Sequence, residues 1–148
     1  MNPRPPVGVS RGRAENAMVI TAVRHSLMSK KRVLVIDDDE EVISLVTTIA
    51  ELEGYEVRAA RNGAEGLEVL RQGQFQPDLI LLDLMMPVMD GWTFSREARR
   101  MAASRDTPII VLSGVHDLSR RIEGLPVNGF VAKPFEYDEL VSWLGRVS

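Results

Sequence analysis

The sequence predicts an α/β fold: a doubly wound parallel sheet covered by helices on both faces. Three observations carry that prediction. Short apolar runs rich in branched residues recur along the chain between turn residues, as strands buried on both faces require. Between them, apolar residues return every three or four positions, the spacing of an amphipathic helix. Each unusual polar residue also stands at the C-terminal end of a strand run: Asp37 and Asp38, then Asp83, Ser113 and Lys133. Strands alternating with helices imply right-handed crossovers and a parallel sheet.

The first strand is Arg32-Val33-Leu34-Val35-Ile36, which stops at Asp37-Asp38-Asp39. Val42, Leu45, Val46, Ile49 and Leu52 then mark a helix with acids at its start and Gly54 at its stop. Tyr55 to Ala59 is a short second strand, and Asn62 caps a second helix running through Leu70 to a stop at Gly73. The third strand, Leu79-Ile80-Leu81-Leu82-Asp83, is the most apolar and ends in an acid that is expensive to bury. A turn at Pro87 and Asp90-Gly91 leads into a third helix, Gly91 to about Met101, with Trp92, Phe94 and Ala98. Pro108 to Leu112 is the fourth strand, followed by Ser113-Gly114. Asp117 to Glu123 suits a short helix that Gly124 and Pro126 cut off. Gly129 to Ala132 is the fifth strand, ending at Lys133-Pro134, and Glu136 to about Val147 is the closing helix.

At 148 residues the chain has room for one ordinary domain. Apolar residues make up 45% and charged residues 26%, the balance of a globular protein. There is no cysteine, which excludes disulfides, thiolate nucleophiles and zinc–thiolate sites and is compatible with a cytoplasmic location. No apolar run approaches the ~18–20 residues of a membrane span. The net charge of −3 is unevenly placed. Arg4, Arg11, Arg13, Arg24 and Lys30 against Glu15 give residues 1–30 a charge of +4, leaving −7 for the rest. That acidity argues against nucleic-acid backbone binding. Residues 1–30 begin with Pro3, Pro5, Pro6, Gly8 and Gly12 and show no sustained periodicity, so a disordered leader is expected before a domain at 31–148. Two readings of the leader stand open: an upstream start with Met28 as initiator, or a short docking arm.

In a parallel sheet the strand C-termini form one edge, and ligands bind where strand order reverses. Asp37, Asp38, Asp83, Ser113 and Lys133 therefore converge although far apart in sequence. Three close carboxylates repel unless a cation intervenes, and Mg2+ suits a site of few carboxylates and a phosphate. Asp83 can then act as a carboxylate nucleophile toward phosphorus, with Lys133 and Ser113 serving the phosphoryl oxygens. A dedicated base for hydrolysis is missing, so the acyl phosphate is expected to persist. Taken singly, each residue has an ordinary structural reading: Asp38 or Asp39 as a helix cap, Ser113 as a turn residue, Lys133 as a solvated charge. Their arrival at one sheet edge favours the site.

These residues carry a resemblance. From about Arg32 to Val147 the chain resembles the receiver domain of two-component response regulators, through Val35-Ile36-Asp37-Asp38-Asp39, Leu82-Asp83-Leu84-Met85-Met86-Pro87-Val88-Met89-Asp90-Gly91, Val111-Leu112-Ser113-Gly114 and Val131-Ala132-Lys133-Pro134-Phe135. The resemblance implies a flavodoxin-like (βα)5 sheet of strand order 2-1-3-4-5. Asp83 would accept phosphate from a histidine kinase or histidine phosphotransfer protein. Asp37, Asp38, Asp83 and the Met85 backbone carbonyl would hold Mg2+, and Lys133 would bind phosphate. Ser113 and Phe130 would form the switch, and the Lys133-Pro134 bond would be cis. Met85 and Val115 flank the route of an attacking water in that family; both are apolar here, which implies slow hydrolysis. Between Ser113 and Phe130 the chain is about two residues shorter than usual, so the fourth helix is expected to be shortened and the protein to be a monomer or weak dimer. With Ser148 alone after the last helix, a stand-alone receiver that works by relay or protein binding, rather than an enzyme, is expected. Two alternatives remain: a small Mg2+-dependent aspartyl-phosphate phosphatase of the haloacid-dehalogenase type using Asp37 and Asp39, and a receiver-like interaction module that never uses phosphate.

Overall fold

The computed structural model describes residues 11–28, 30–114 and 122–147. The chain divides into two compact units, residues 1–30 and 31–148. In the first, Arg11–Met28 forms helix α1. The disordered leader expected from the sequence gives way here to a helix. The leader's prolines and glycines all fall at or before Gly12, and Ala14, Glu15, Ala17 and Met18 beyond them are good helix formers.

In the second unit the elements are β1 (Arg32–Ile36), α2 (Glu40–Leu52), β2 (Glu56–Ala60), α3 (Gly63–Gln72), β3 (Leu79–Asp83), α4 (Gly91–Arg100), β4 (Ile109–Ser113), β5 (Gly129–Ala132) and α5 (Tyr137–Gly145). The five strands form one parallel sheet of order β2-β1-β3-β4-β5, the order expected of a flavodoxin-like sheet. The helix expected over 117–123 and Val115 fall mostly outside the described residues. From Ile122 to Asn128 the chain runs in turns, closed by Leu125 N–H to the Ile122 carbonyl at 2.9 Å and Val127 N–H to the Leu125 carbonyl at 2.8 Å. Among the described residues no helix is long and apolar enough to cross a membrane.

Alternation along each strand builds two cores. Val33 and Val35 of β1 and Leu79 and Leu81 of β3 face one side, where Val46, Ile49 and Ala50 of α2 and Leu140 and Leu144 of α5 cover them. Leu34, Ile36, Ile80 and Leu82 face the other, against Leu67 and Leu70 of α3 and Phe94 and Ala98 of α4. A strand buried on both faces therefore reads as an unbroken apolar run, and all of β3 is buried.

Helices α2, α3 and α4 start where side chains satisfy their free N–H groups. Asp39 accepts from Glu41 N–H, Asn62 from Glu65 N–H and Asp90 from Thr93 N–H, each at 2.8–2.9 Å. Glu65 reaches back to the Arg61 N–H at 2.6 Å, completing a reciprocal cap. One turn is strained. Val88, with φ +67°, is a branched residue in left-handed backbone, and the Met89 N–H bonds the Pro87 carbonyl across it at 2.8 Å.

Candidate functional site

Strand register brings the site together. Ile36 stands beside Leu82, Asp83 beside Leu112 and Ser113 beside Ala132, so the next residues share one edge of the sheet. Asp37 is fully buried, Asp83 is 7% exposed and Ser113 is 1% exposed, whereas Asp38 is exposed. Ser113 is the last residue of β4, one position earlier than a residue following the strand. One carboxylate oxygen from each of Asp37, Asp38 and Asp83 lies within 4.8 Å of the others.

Each position has a local cause. The Asp37 side chain accepts the Asp39 N–H at 2.9 Å, turning the chain from β1 into α2. The Met85 N–H approaches Asp83 Oδ1 at 3.4 Å as the chain leaves β3. Gly91 N–H bonds the Leu84 carbonyl at 2.9 Å, and a Cβ at Gly91 would collide with the Asp83 carbonyl. Only glycine lets α4 begin so close to the site. On the far side, the Lys133 N–H bonds the Ser113 carbonyl at 2.9 Å, and the Lys133-Pro134 bond is cis. Phe130 is 41% exposed, turned partly to solvent.

The lysine's principal partner is a finding of the structure. Lys133 Nζ donates to Asp37 Oδ2 at 2.6 Å and stands 3.9 Å from Asp83 Oδ1. Sequence reasoning assigned Lys133 to an incoming phosphate; without one, the lysine neutralises the most buried acid. Asp83 has less help. Burial and the neighbouring Asp37 raise its pKa from 3.8 to about 7, with Asp38 adding to the rise and Lys133 and the Met85 N–H opposing it. An acid so placed either holds a proton near neutral pH or needs a cation. The spread of the three oxygens is close to the ~4 Å spanned by opposite ligands of an octahedral ion with ~2.1 Å bonds. The donor set is all oxygen, anionic and partly open, and so fits a small hard divalent ion. The Asp39 side chain instead caps α2 through the Glu41 N–H, which disfavours its pairing with Asp37 as in a phosphatase.

Beside the acids, Val42, Leu45, Pro134 and Phe135 line an apolar groove of about 360 Å³ rimmed by Asp39, Glu41 and Lys133. The sequence offered no signal for it, since its walls come from α2 and from the turn after β5.

Residues 33–144 match the family model of the response regulator receiver domain. The chain belongs to that family. As a receiver domain it is 35% identical over 113 residues to the DNA-binding dual master transcriptional regulator RpaA of Synechocystis sp., a match covering 75% of this chain and 46% of RpaA. The receiver chain therefore spans about half the length of that relative. Among solved structures it is similar to the chemotaxis protein CheY4 of Vibrio cholerae, with a TM-score of 0.73 and 30% identity over 81% of this chain and 100% of the other. It is also similar to the receiver domain of the sensor histidine kinase PA1611 of Pseudomonas aeruginosa, solved with magnesium in its active-site cleft. There the TM-score is 0.70, the identity 27%, and the coverage 80% and 97%.

Proposed function

We propose that this receiver domain takes a phosphoryl group onto Asp83 in a Mg2+-dependent step and signals by relay or by phosphorylation-dependent protein binding. The convergence of Asp37, Asp38 and Asp83 within 4.8 Å, with Lys133 against them, supports this reading most directly. A cytoplasmic histidine kinase or histidine phosphotransfer protein is the donor. The Asp83 carboxylate oxygen bonds to phosphorus as the phosphorus–nitrogen bond of the donor phosphohistidine breaks. The electron pair of that bond returns to the ring nitrogen, which takes up a proton.

Asp37, Asp38, Asp83 and the Met85 carbonyl would hold Mg2+, which when bound neutralises the carboxylates and one phosphoryl oxygen. The Lys133 ammonium turns from Asp37 toward a second oxygen and donates to it, and the Ser113 hydroxyl donates to a third. The inward movement of Ser113 draws Phe130 from its half-exposed position. The groove of Val42, Leu45, Pro134 and Phe135 opens beside this site and offers the donor protein an apolar seat. The domain's −7 charge favours protein partners over nucleic acid, and a monomer or weak dimer is the working state.

Incubation with acetyl phosphate and Mg2+ tests the reading by intact-protein mass. The expected result is a gain of one phosphoryl group that disappears in Asp83→Ala and in EDTA. No gain, or a gain that survives Asp83→Ala, overturns it.

A further inference from the structure

The strand that carries Lys133 is poorly held by its own side chains. β5 has four residues at the edge of the sheet, and of these only Val131 is buried, while Phe130 and Ala132 are exposed. A strand with so little buried on either face specifies its register weakly. A slip of one residue would move Lys133 by about 3.3 Å and turn it to the other face, away from Asp37. Its 2.6 Å contact with Asp37 therefore needs a register set elsewhere. The turns from Ile122 to Asn128 that lead into β5 contribute little regular structure.

At the opposite end of the sheet from the acids, Asn128 pairs with the first residue of β4 through both backbone and side chain. Its N–H bonds the Ile109 carbonyl at 2.8 Å, and its Oδ1 accepts the Ile109 N–H at 2.9 Å. The same Oδ1 accepts Arg99 Nη2 at 2.9 Å. Arg99, in the last turn of α4, also donates from Nε to the Pro126 carbonyl at 2.9 Å. Its Nη1 reaches the Thr107, Ser104 and Arg105 carbonyls at 2.5, 3.1 and 3.2 Å. One guanidinium thus gathers the end of α4, the turn before β4 and the turn before β5. Its fork of fixed donors suits this, where a lysine would offer a single mobile point. Burial lowers the Arg99 pKa from its usual range, with Asp106 opposing, as expected of a guanidinium drawn in among carbonyls.

We propose that Arg99, acting through Asn128 and Pro126, is a positioning residue that sets the register of β5 and with it the reach of Lys133 into the acid site. The two ends lie about 16 Å apart along the strand, five residues at ~3.3 Å each. The inference rests on the phosphoryl-accepting reading for its catalytic consequence, and on the structure alone for its mechanical one.

The test uses the full chain and the variants Arg99→Ala, Arg99→Lys, Asn128→Ala and Asn128→Asp, with two readouts. The first is the rate of phosphorylation by acetyl phosphate set against Mg2+ affinity. A misplacement on the order of 1 Å reduces a positioned reaction by about 10²-fold. Arg99→Ala and Asn128→Ala should therefore slow phosphorylation at least about ten-fold. Mg2+ affinity should not fall, because its ligands stand at the ends of β1 and β3 and none is removed, and it should rise where Lys133 no longer neutralises Asp37. Asn128→Asp, which keeps the shared acceptor, should retain the wild-type rate, and Arg99→Ala should add nothing in a Lys133→Ala background. The second readout is amide hydrogen exchange. Protection should fall at the Lys133 amide and along β5 while β1 and β3 keep theirs. If Arg99→Ala is too unstable to purify, Arg99→Lys carries the same comparison.

An unchanged phosphorylation rate, equal loss of Mg2+ affinity and rate, or a uniform fall in protection across the sheet overturns the proposal. If the wild type takes no phosphoryl group, the phosphoryl-accepting reading fails, and hydrogen exchange still decides the clamp.

Discussion

Asp83→Asn should stabilise the metal-free protein, and increasingly so as the pH rises. The folded environment raises the Asp83 pKa from 3.8 to about 7. Between those values the folded state binds more protons than the unfolded state, so stability is lost as pH rises through the window. At 1.36 kcal/mol per pH unit, the penalty is about 2 kcal/mol at about pH 5 and about 4 kcal/mol at about pH 8. Asparagine keeps the shape of the neutral acid and carries no such penalty. The stability difference between variant and wild type should therefore grow by roughly 2–3 kcal/mol over that interval. Urea unfolding in EDTA across the pH range measures it. Added Mg2+ should raise the wild type at about pH 8 by about 2.7 kcal/mol at a hundred-fold excess over Kd, and the variant by much less. The reasoning fails if the difference is the same at every pH, or if Asp83→Asn is the less stable protein at the alkaline end.

Three further outcomes follow from single contacts. Lys133→Ala leaves the fully buried Asp37 without its 2.6 Å partner, so it should destabilise the metal-free protein by about 3 kcal/mol, with part of the loss recovered in Mg2+; a denaturant midpoint within error of wild type would contradict this. Val88→Gly releases a branched residue from left-handed backbone at an exposed turn, and should raise stability by about 1 kcal/mol in urea titration, whereas a loss would show that the turn is not strained. Met85 is 58% exposed beside Asp83, and Met85→Asn should speed loss of the phosphoryl group by roughly ten-fold by offering a polar contact to attacking water. Loss within seconds from the wild type, with no change in Met85→Asn, would remove the basis for slow hydrolysis.

Most elements were legible because their signals are local. The three caps Asp39, Asn62 and Asp90 act on N–H groups two or three residues away, and the buried strands read as unbroken apolar runs. The convergence of the candidate site residues was legible for a related reason: a parallel sheet brings every strand C-terminus to one edge, so position relative to a strand stands in for position in space. Helix α1 escaped notice because Arg11–Met28 carries no pronounced apolar stripe to read. Arg99 escaped because its four carbonyl partners and Asn128 lie in turns, where no periodicity links them to an arginine 5–29 residues away.

The sequence by itself determined the alternation of strands and helices, the two-sided burial of the sheet and the placement of Asp37, Asp38, Asp83, Ser113 and Lys133 at one sheet edge. Those properties follow from spacing along the chain. Only the tertiary structure decided how the set is connected: that Lys133 holds Asp37 across 96 residues, that Asp83 is left the proton-prone acid, and that Arg99 fastens the far end of the strand on which Lys133 stands. Those outcomes depend on strand register and on separations of 2.6 to 3.9 Å between groups remote in sequence, and only the packed molecule sets them.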